Sequence, residues 1–137
     1  MRVGAVLLLA LGACTVRFVS EYDEGTEQGV WDLYRRVEGH LAKLEGLEGK
    51  PGQARAEFED WYNELRLDLR MLRTRNEMRP KNELTVKQLE QLSLMVETFY
   101  KLHESPLNSD QIKVSRALFE VSFKAILKLE MAKKRGE

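Results

Sequence analysis

Apolar residues recur along this chain at steps of three and four, the spacing of one helix face. From Glu27 to about Glu45 they fall at Val30, Tyr34, Val37, Leu41 and Leu44. A second stripe occupies Phe58, Tyr62, Leu65, Leu69 and Leu72, with Trp61 beside it, and a third runs Leu89, Leu92, Val96, Phe99 and then His103. The fourth begins at Ile112 and continues through Phe119, Ile126 and Leu129, with Ser115 and Ser122 as small intervening members. Between stripes lie breakers: Gly46, Gly49, Pro51 and Gly52, then Arg79-Pro80, then Ser105-Pro106. Proline disfavours a helical conformation at the residue before it, so each break predicts a helix end. Four amphipathic helices of roughly 19 to 26 residues joined by short loops predict an all-α, antiparallel up-down four-helix bundle over residues 27–137.

Helix starts carry their own signals. Thr85 reads as an N-cap with Gln88 three positions on, flanked by Leu84 and Leu89 as a hydrophobic staple. Asn108 and Gln111, flanked by Leu107 and Ile112, repeat the device for the fourth helix. Lys133, Lys134 and Arg135 suit the negative end of that helix's dipole. Gly39 lies inside the first helix, where glycine costs about 1 kcal/mol relative to alanine.

The amino terminus has a different pattern. Arg2 precedes an apolar run, Val3 to Leu11, followed by Leu11-Gly12-Ala13-Cys14 and then Arg17. The run is about half the roughly 20 residues a membrane-spanning helix needs, and it matches a signal-peptide core with a small-residue cleavage site. Leu11-Gly12-Ala13-Cys14 also resembles the lipobox of bacterial lipoproteins. That resemblance implies a signal peptide over residues 1–13, lipidation of Cys14, and a lipidated tether over 14–26 in which Tyr22, Asp23, Glu24 and Gly25 suggest a turn. It implies a domain held in the bacterial cell envelope, facing the periplasm, with the membrane as a partner through Cys14. Thr15 follows the cysteine where Asp would be the familiar inner-membrane retention signal, which favours the outer membrane. Cys14 is the chain's single cysteine, so the domain has no disulfide and acylation removes a thiol that would otherwise stay unpaired. Tyr22-Asp23-Glu24-Gly25-Thr26 and Arg79-Pro80-Lys81-Asn82-Glu83-Leu84-Thr85, with His103 closing the next helix, are similar to a group of small bacterial lipoproteins of unassigned function. That similarity implies a lipid-anchored helical domain and supplies no activity.

Charge and motif content narrow the chemistry. Acidic and basic residues balance at 22 each, so no global field holds nucleic acid by phosphate neutralisation. Helical bundles that house paired metals use Glu-x-x-His, but Val37 precedes His40 and Tyr100 precedes His103 by three residues. No metal centre and no cofactor are expected. Gly-rich phosphate loops, H-E-x-x-H and G-x-S-x-G are missing from the sequence, and an acylated Cys14 is no nucleophile, so the chain reads as a non-enzyme. Arg66, Arg70 and Arg73 form a locally basic face on the second helix, open to anionic lipid, polyanionic wall material or an acidic partner, or partly paired with Glu59, Glu64 and Asp68.

The fourth helix is apolar over more than half its circumference. Val114, Leu118, Val121 and Ala125 form a stripe beside the first, and Phe123 and Leu127 extend the other flank. Either this helix is the most buried of the bundle, or part of the arc is a contact face for a second copy or an envelope partner. Phe123 and Leu127 are the candidate contact residues, with Leu118 and Val121 as controls across the arc. The function expected is an anchored envelope interaction or scaffolding module. The alternative is a binder of an apolar ligand or lipid within the bundle, where Met, Phe and Trp line an expandable core.

Overall fold

A computed structural model describes residues 19–137, and the predicted signal peptide, Cys14 and the first part of the tether lie outside the described residues. The described chain is all-helical: α1 (Glu24–Gly46), α2 (Glu59–Glu77), α3 (Glu83–Leu102) and α4 (Ser109–Arg135), with two short 3-10 turns, Pro51–Gln53 and Arg55–Phe58, leading into α2. Every helix packs on its chain neighbours and α4 closes back onto α1, so the four form a ring around one core. Hydrogen bonds fix the up-down order. The start of α1, the end of α2, the start of α3 and the end of α4 meet at one end, through Thr26, Asn76, Asn82, Thr85 and Lys133. The opposite four termini meet at the other end through Gln53, Tyr62, His103 and Leu107.

The stripes become the core. Val30, Val37, Leu41 and Leu44 of α1, Tyr62, Leu65, Leu69 and Leu72 of α2, Leu89, Leu92, Val96 and Phe99 of α3, and Ile112, Phe119 and Ile126 of α4 are all buried. Tyr34 is only half-buried, and it stacks on Phe123 with centroids 4.7 Å apart. α2 packs tightly on α1 at Gly29, where an added Cβ would stand 2.9 Å from Leu72 Cδ1. Gly39 has nothing within 4 Å of that position, so its cost in α1 has no packing return.

Two helix starts differ from the sequence expectation. α1 begins at Glu24, three residues inside the expected tether, because Asp23 caps it: the Thr26 N–H donates to Asp23 Oδ2 at 3.2 Å. Tyr22 to Gly25 is therefore a helix start and not a free turn. α3 begins at Glu83 with Asn82 at the cap position, and Thr85 is fully buried inside the first turn. Asn82 makes no side-chain cap bond because its amide is committed to Asn76 and Ser20. Leu84, expected in a staple, is half exposed. The α4 start is as read: Asn108 Oδ1 accepts from the Gln111 N–H at 2.9 Å and Gln111 Oε1 accepts from the Asn108 N–H at 3.1 Å, a complete capping box. Leu107 and Ile112 beside it are buried.

Candidate interaction surface

Polar side chains close both ends of the bundle. At the end where the described chain begins, the Ser20 N–H donates to the Lys81 carbonyl at 2.7 Å and Ser20 Oγ donates to Asn82 Oδ1 at 2.7 Å. Asn82 Nδ2 donates to Asn76 Oδ1 at 2.7 Å, and Lys133 Nζ donates to Asn82 Oδ1, Thr85 Oγ1 and Glu130 Oε1 at 2.8, 2.8 and 2.6 Å. All three ammonium protons are used, with the Lys133 and Glu130 side chains 2% and 0% exposed. Asp23 receives both Nε and Nη2 of Arg75, at 2.7 and 2.8 Å. Arg75, aided by the Thr26 hydroxyl, holds the Asp23 carboxyl well below the usual carboxylate range against the opposing effect of burial. The entry of the chain is thus pinned to three helix ends.

The far end is closed around Gln53 and the two histidines. Gln53 Nε2 donates to the Leu44 and Leu107 carbonyls at 3.0 and 2.8 Å, and its Oε1 accepts from the Leu107 N–H at 2.9 Å. His103 Nε2 lies 2.7 Å from the Gln53 carbonyl, which only accepts, so this nitrogen carries the proton and Nδ1 accepts from the Tyr62 hydroxyl at 2.7 Å. His40 stacks on Trp61 with centroids 3.6 Å apart and stands 3.5 Å from the same hydroxyl. Burial, with lesser contributions from His103 and Lys43, pushes His40 down to about 3, and burial also lowers His103. Both rings are neutral core members near neutral pH, as the third stripe implied for His103.

The three α2 arginines do line one shallow cleft, about 200 Å³ between α2 and α3, with Ser93 and Glu97. Their charges are unequally free. Arg66 forks onto Glu97 at 2.6 and 3.1 Å and lies over the Tyr100 ring, 4.3 Å from its centroid. Arg73 Nε stands 3.1 Å from Glu77 but does not aim its N–H at the carboxylate, and Arg70 projects to solvent. Glu97 and Glu77 are thus the carboxylates beside this face, whereas Glu59 pairs with Arg55, and Glu64 and Asp68 pair with Arg36.

On α4 the structure reverses the expected edge. Phe123 and Leu127 are 1% and 5% exposed, so they belong to the core and not to a contact face. The reason is the ring arrangement: α1 covers that flank, and Tyr34 stacks on Phe123. Their supposed controls are the exposed members, Leu118 at 54% and Val121 at 68%, together with Val114 at 60%. Adjacent α3 adds Leu94 at 61% and Leu102 at 39%, two residues that no sequence stripe marked. Between the helices runs an apolar groove of about 340 Å³, lined mainly by Met95, Phe99, Leu102, Val114, Leu118 and Phe119. From Val114 to Ala125 the edge of α4 nearest α3 (Val114, Leu118, Val121 and Ala125) is uncharged, while the Glu120–Lys124 ion pair is exposed on the same helix; Gln91, Leu94, Met95 and Thr98 are uncharged positions of α3. Isolated exposed leucines need no explanation, but a contiguous apolar patch marks an interaction site.

Trp31, Leu67 and Met71 are also exposed, on α1 and α2, but the cleft there is crossed by charge, with Arg36 paired to Asp68 and Glu64. The α3–α4 face is the stronger candidate. No helix among the described residues is long and apolar enough to cross a membrane. Compared with protein-family models, curated proteins and solved structures, the chain matches none.

Proposed function

We propose that this protein is a lipid-anchored component of the bacterial cell envelope whose helical domain works by protein contact through the α3–α4 face, without catalysis. The observation that carries the contact reading is the open groove whose exposed apolar walls are Leu102, Val114 and Leu118, with Leu94 and Val121 exposed on the same two helices, on a domain whose core is filled by other residues. The anchor reading rests on the apolar run and the small residues before Cys14. Five residues separate Cys14 from Ser20, a span of at most about 20 Å, so an anchor at Cys14 would be coupled to the folded domain with little slack.

Intact-mass analysis of the protein purified from bacterial membranes tests the anchor. The expected result is loss of residues 1–13 with acyl mass on Cys14, and a Cys14→Ser variant that stays unprocessed or is released. A mature wild-type protein without acyl mass refutes it. A second reading, an apolar small molecule or acyl chain as ligand, is favoured by the same groove. It would then sit between α3 and α4 at the surface, not along the bundle axis, and native mass spectrometry would find it as co-purifying mass that Leu118→Asp removes.

A further inference from the structure

We propose that His40, Tyr62 and His103 form an acid-operated latch on the linker between α1 and α2: the three side chains hold one proton with the latch closed, and a second proton opens it by lifting residues 51–58 off the end of the bundle. The latch is independent of the anchor and of the α3–α4 face.

The linker has little hold of its own. Its two 3-10 turns, Pro51–Gln53 and Arg55–Phe58, make no side-chain cap bonds. They are fastened through Gln53, whose side chain bridges Leu44 and Leu107 and whose carbonyl accepts from His103 Nε2 at 2.7 Å. Phe58 closes over both imidazoles, its ring centroid 5.0 Å from His40 and 5.9 Å from His103. The segment is thus a lid on the two rings and the least regular stretch beside them, which makes it the part that opens locally while the helices stay.

The trio has room for one extra proton. With both rings neutral, the Tyr62 hydroxyl donates to His103 Nδ1 at 2.7 Å. A first proton goes to His103 Nδ1, which then donates to Tyr62 Oη. The hydroxyl proton turns to His40 Nε2, 3.5 Å away, with His40 carrying its own proton on Nδ1. The bond from His103 to the Gln53 carbonyl is kept and becomes charge-assisted. A second proton has no such place. Both rings then aim an N–H at one oxygen, and the fully buried Tyr62 hydroxyl is left with a proton that no member of the trio accepts. Two imidazolium rings also stand with their centroids 6.3 Å apart.

The charged neighbours do not compensate. Lys43 of α1, Arg55 of the linker and Arg66 of α2 are cations, Glu59 of α2 is the facing carboxylate, and Tyr100 is the titratable neighbour on α3. Glu59 is already engaged by the Tyr100 hydroxyl and Arg55. α4 presents the apolar Phe119, against Phe99. Burial, then the charges of His103 and Lys43, hold His40 down to about 3 in the closed form. An open form with the rings in water takes the second proton more readily, so opening grows as pH falls below the ordinary histidine range. It bares the Phe58 ring and frees the Leu44 and Leu107 backbone groups that Gln53 occupies, a contact surface presented only in acid.

Nuclear magnetic resonance of the full-length chain tests this, since its two histidines give two ring titrations. Between pH 7 and about pH 3, one ring should take up its proton while the Ala54 and Glu57 amides, which bond to Pro51 and Ala54, stay protected from hydrogen exchange. Protonation of the second ring should coincide with a loss of that protection of about tenfold per pH unit. Mid-helix amides such as Leu69, Val96 and Phe123 should hold, with helical ellipticity unchanged. His40→Gln should abolish the loss, and Tyr62→Phe, which removes the shared oxygen, should move it to the first proton. The wild-type pattern decides the matter even where a variant fails to fold. Linker amides still protected after both rings titrate, mid-helix amides lost in step with the linker, or two rings titrating together overturn the latch. So does a His40→Gln chain with the wild-type acid response.

Discussion

Lys133→Met should be the most damaging single substitution at the entry end of the bundle, and its repair should come from removing a second charge. The Lys133 ammonium is 2% exposed and makes three hydrogen bonds of 2.6 to 2.8 Å, one of them to a Glu130 carboxylate that is 0% exposed. Glu130 Oε2 already lacks a hydrogen-bond donor among the described residues. Removing the lysine leaves a buried carboxylate whose remaining contact is the Thr85 hydroxyl at 3.2 Å. Breaking a buried pair on one side costs about 3 to 5 kcal/mol, whereas replacing both partners by apolar groups of similar volume is often neutral or better. The double variant Lys133→Met/Glu130→Leu strands only the Thr85 hydroxyl, a loss of about 1 kcal/mol, since Asn82 Oδ1 still accepts from Ser20. The expected pattern is a single variant down by about 4 kcal/mol and a double variant within about 1 kcal/mol of the starting protein. Urea unfolding followed by circular dichroism reads both, provided the slope with denaturant is unchanged, so that midpoints report stability. A single variant losing under 1 kcal/mol, or a double variant as weak as the single, would mean that the pair is not the desolvated unit described above.

Three further outcomes follow from the same geometry. Phe123→Ala should cost about 3 to 5 kcal/mol in thermal or urea unfolding as a core truncation, while Leu118→Ala should stay within about 0.5 kcal/mol; equal effects would mean that core and surface are misassigned on α4. Gly39→Ala should stabilise α1 by about 1 kcal/mol, because nothing stands within 4 Å of the new methyl group, and a loss of stability would contradict that open space. Acid should weaken the fold through His40: its folded pKa of about 3 lies below the unfolded value of 6.5, so unfolding takes up a proton and stability falls as pH drops from 6.5 towards 3. About 2 kcal/mol should go between pH 7 and pH 5, with His103 adding in the same direction, and a His40→Gln variant with the same pH slope as wild type would refute the assignment.

The bundle was legible because its core positions obey one period. Phe58, Tyr62, Leu65, Leu69 and Leu72 all point inward as their spacing requires, and Asn108 with Gln111 caps α4 by purely local chemistry. Misreadings occurred where tertiary contacts outrank local signals. Thr85 and Gln88 have the spacing of a capping box, but the Thr85 hydroxyl is drawn to Lys133 and Glu130, residues more than 40 positions away. Asp23 and Thr26 hold a genuine cap signal, hidden by Gly25, which is accommodated because the Arg75 guanidinium lies where a Cβ would be, 2.6 Å away. On α4 the apolar arc is too wide for its own pattern to say which edge faces inward. Only the position of α1 decides that, and it buries Phe123 and Leu127 while leaving Leu118 and Val121 outside. Leu94 was invisible for the complementary reason. It lies between two good core positions, Leu92 and Val96, and a lone leucine off the stripe has no periodic signature of its own.

The two closed ends and the open side make different demands on the sequence. Each end uses hydrogen bonds that bring together termini of three or four helices, and a half-satisfied buried network is costlier than an apolar one, so the participants at each end are held as a group. The strip of Leu94, Leu102, Val114, Leu118 and Val121 is under no such constraint. These side chains keep between 39% and 68% of their surface in water, so most of the hydrophobic gain available to them is unrealised in the single chain. Glutamine or lysine at those positions would serve the helix as well and solubility better. A fold that closes its ends with buried hydrogen-bond networks and leaves these apolar side chains open therefore has that side available for contact, and a partner that covers it recovers the burial the monomer forgoes. The same reasoning fixes where specificity must lie. The apolar strip supplies contact area without direction, so the orientation of any occupant has to come from the relief of the groove between α3 and α4 and from Asp110, the charged residue that lines it.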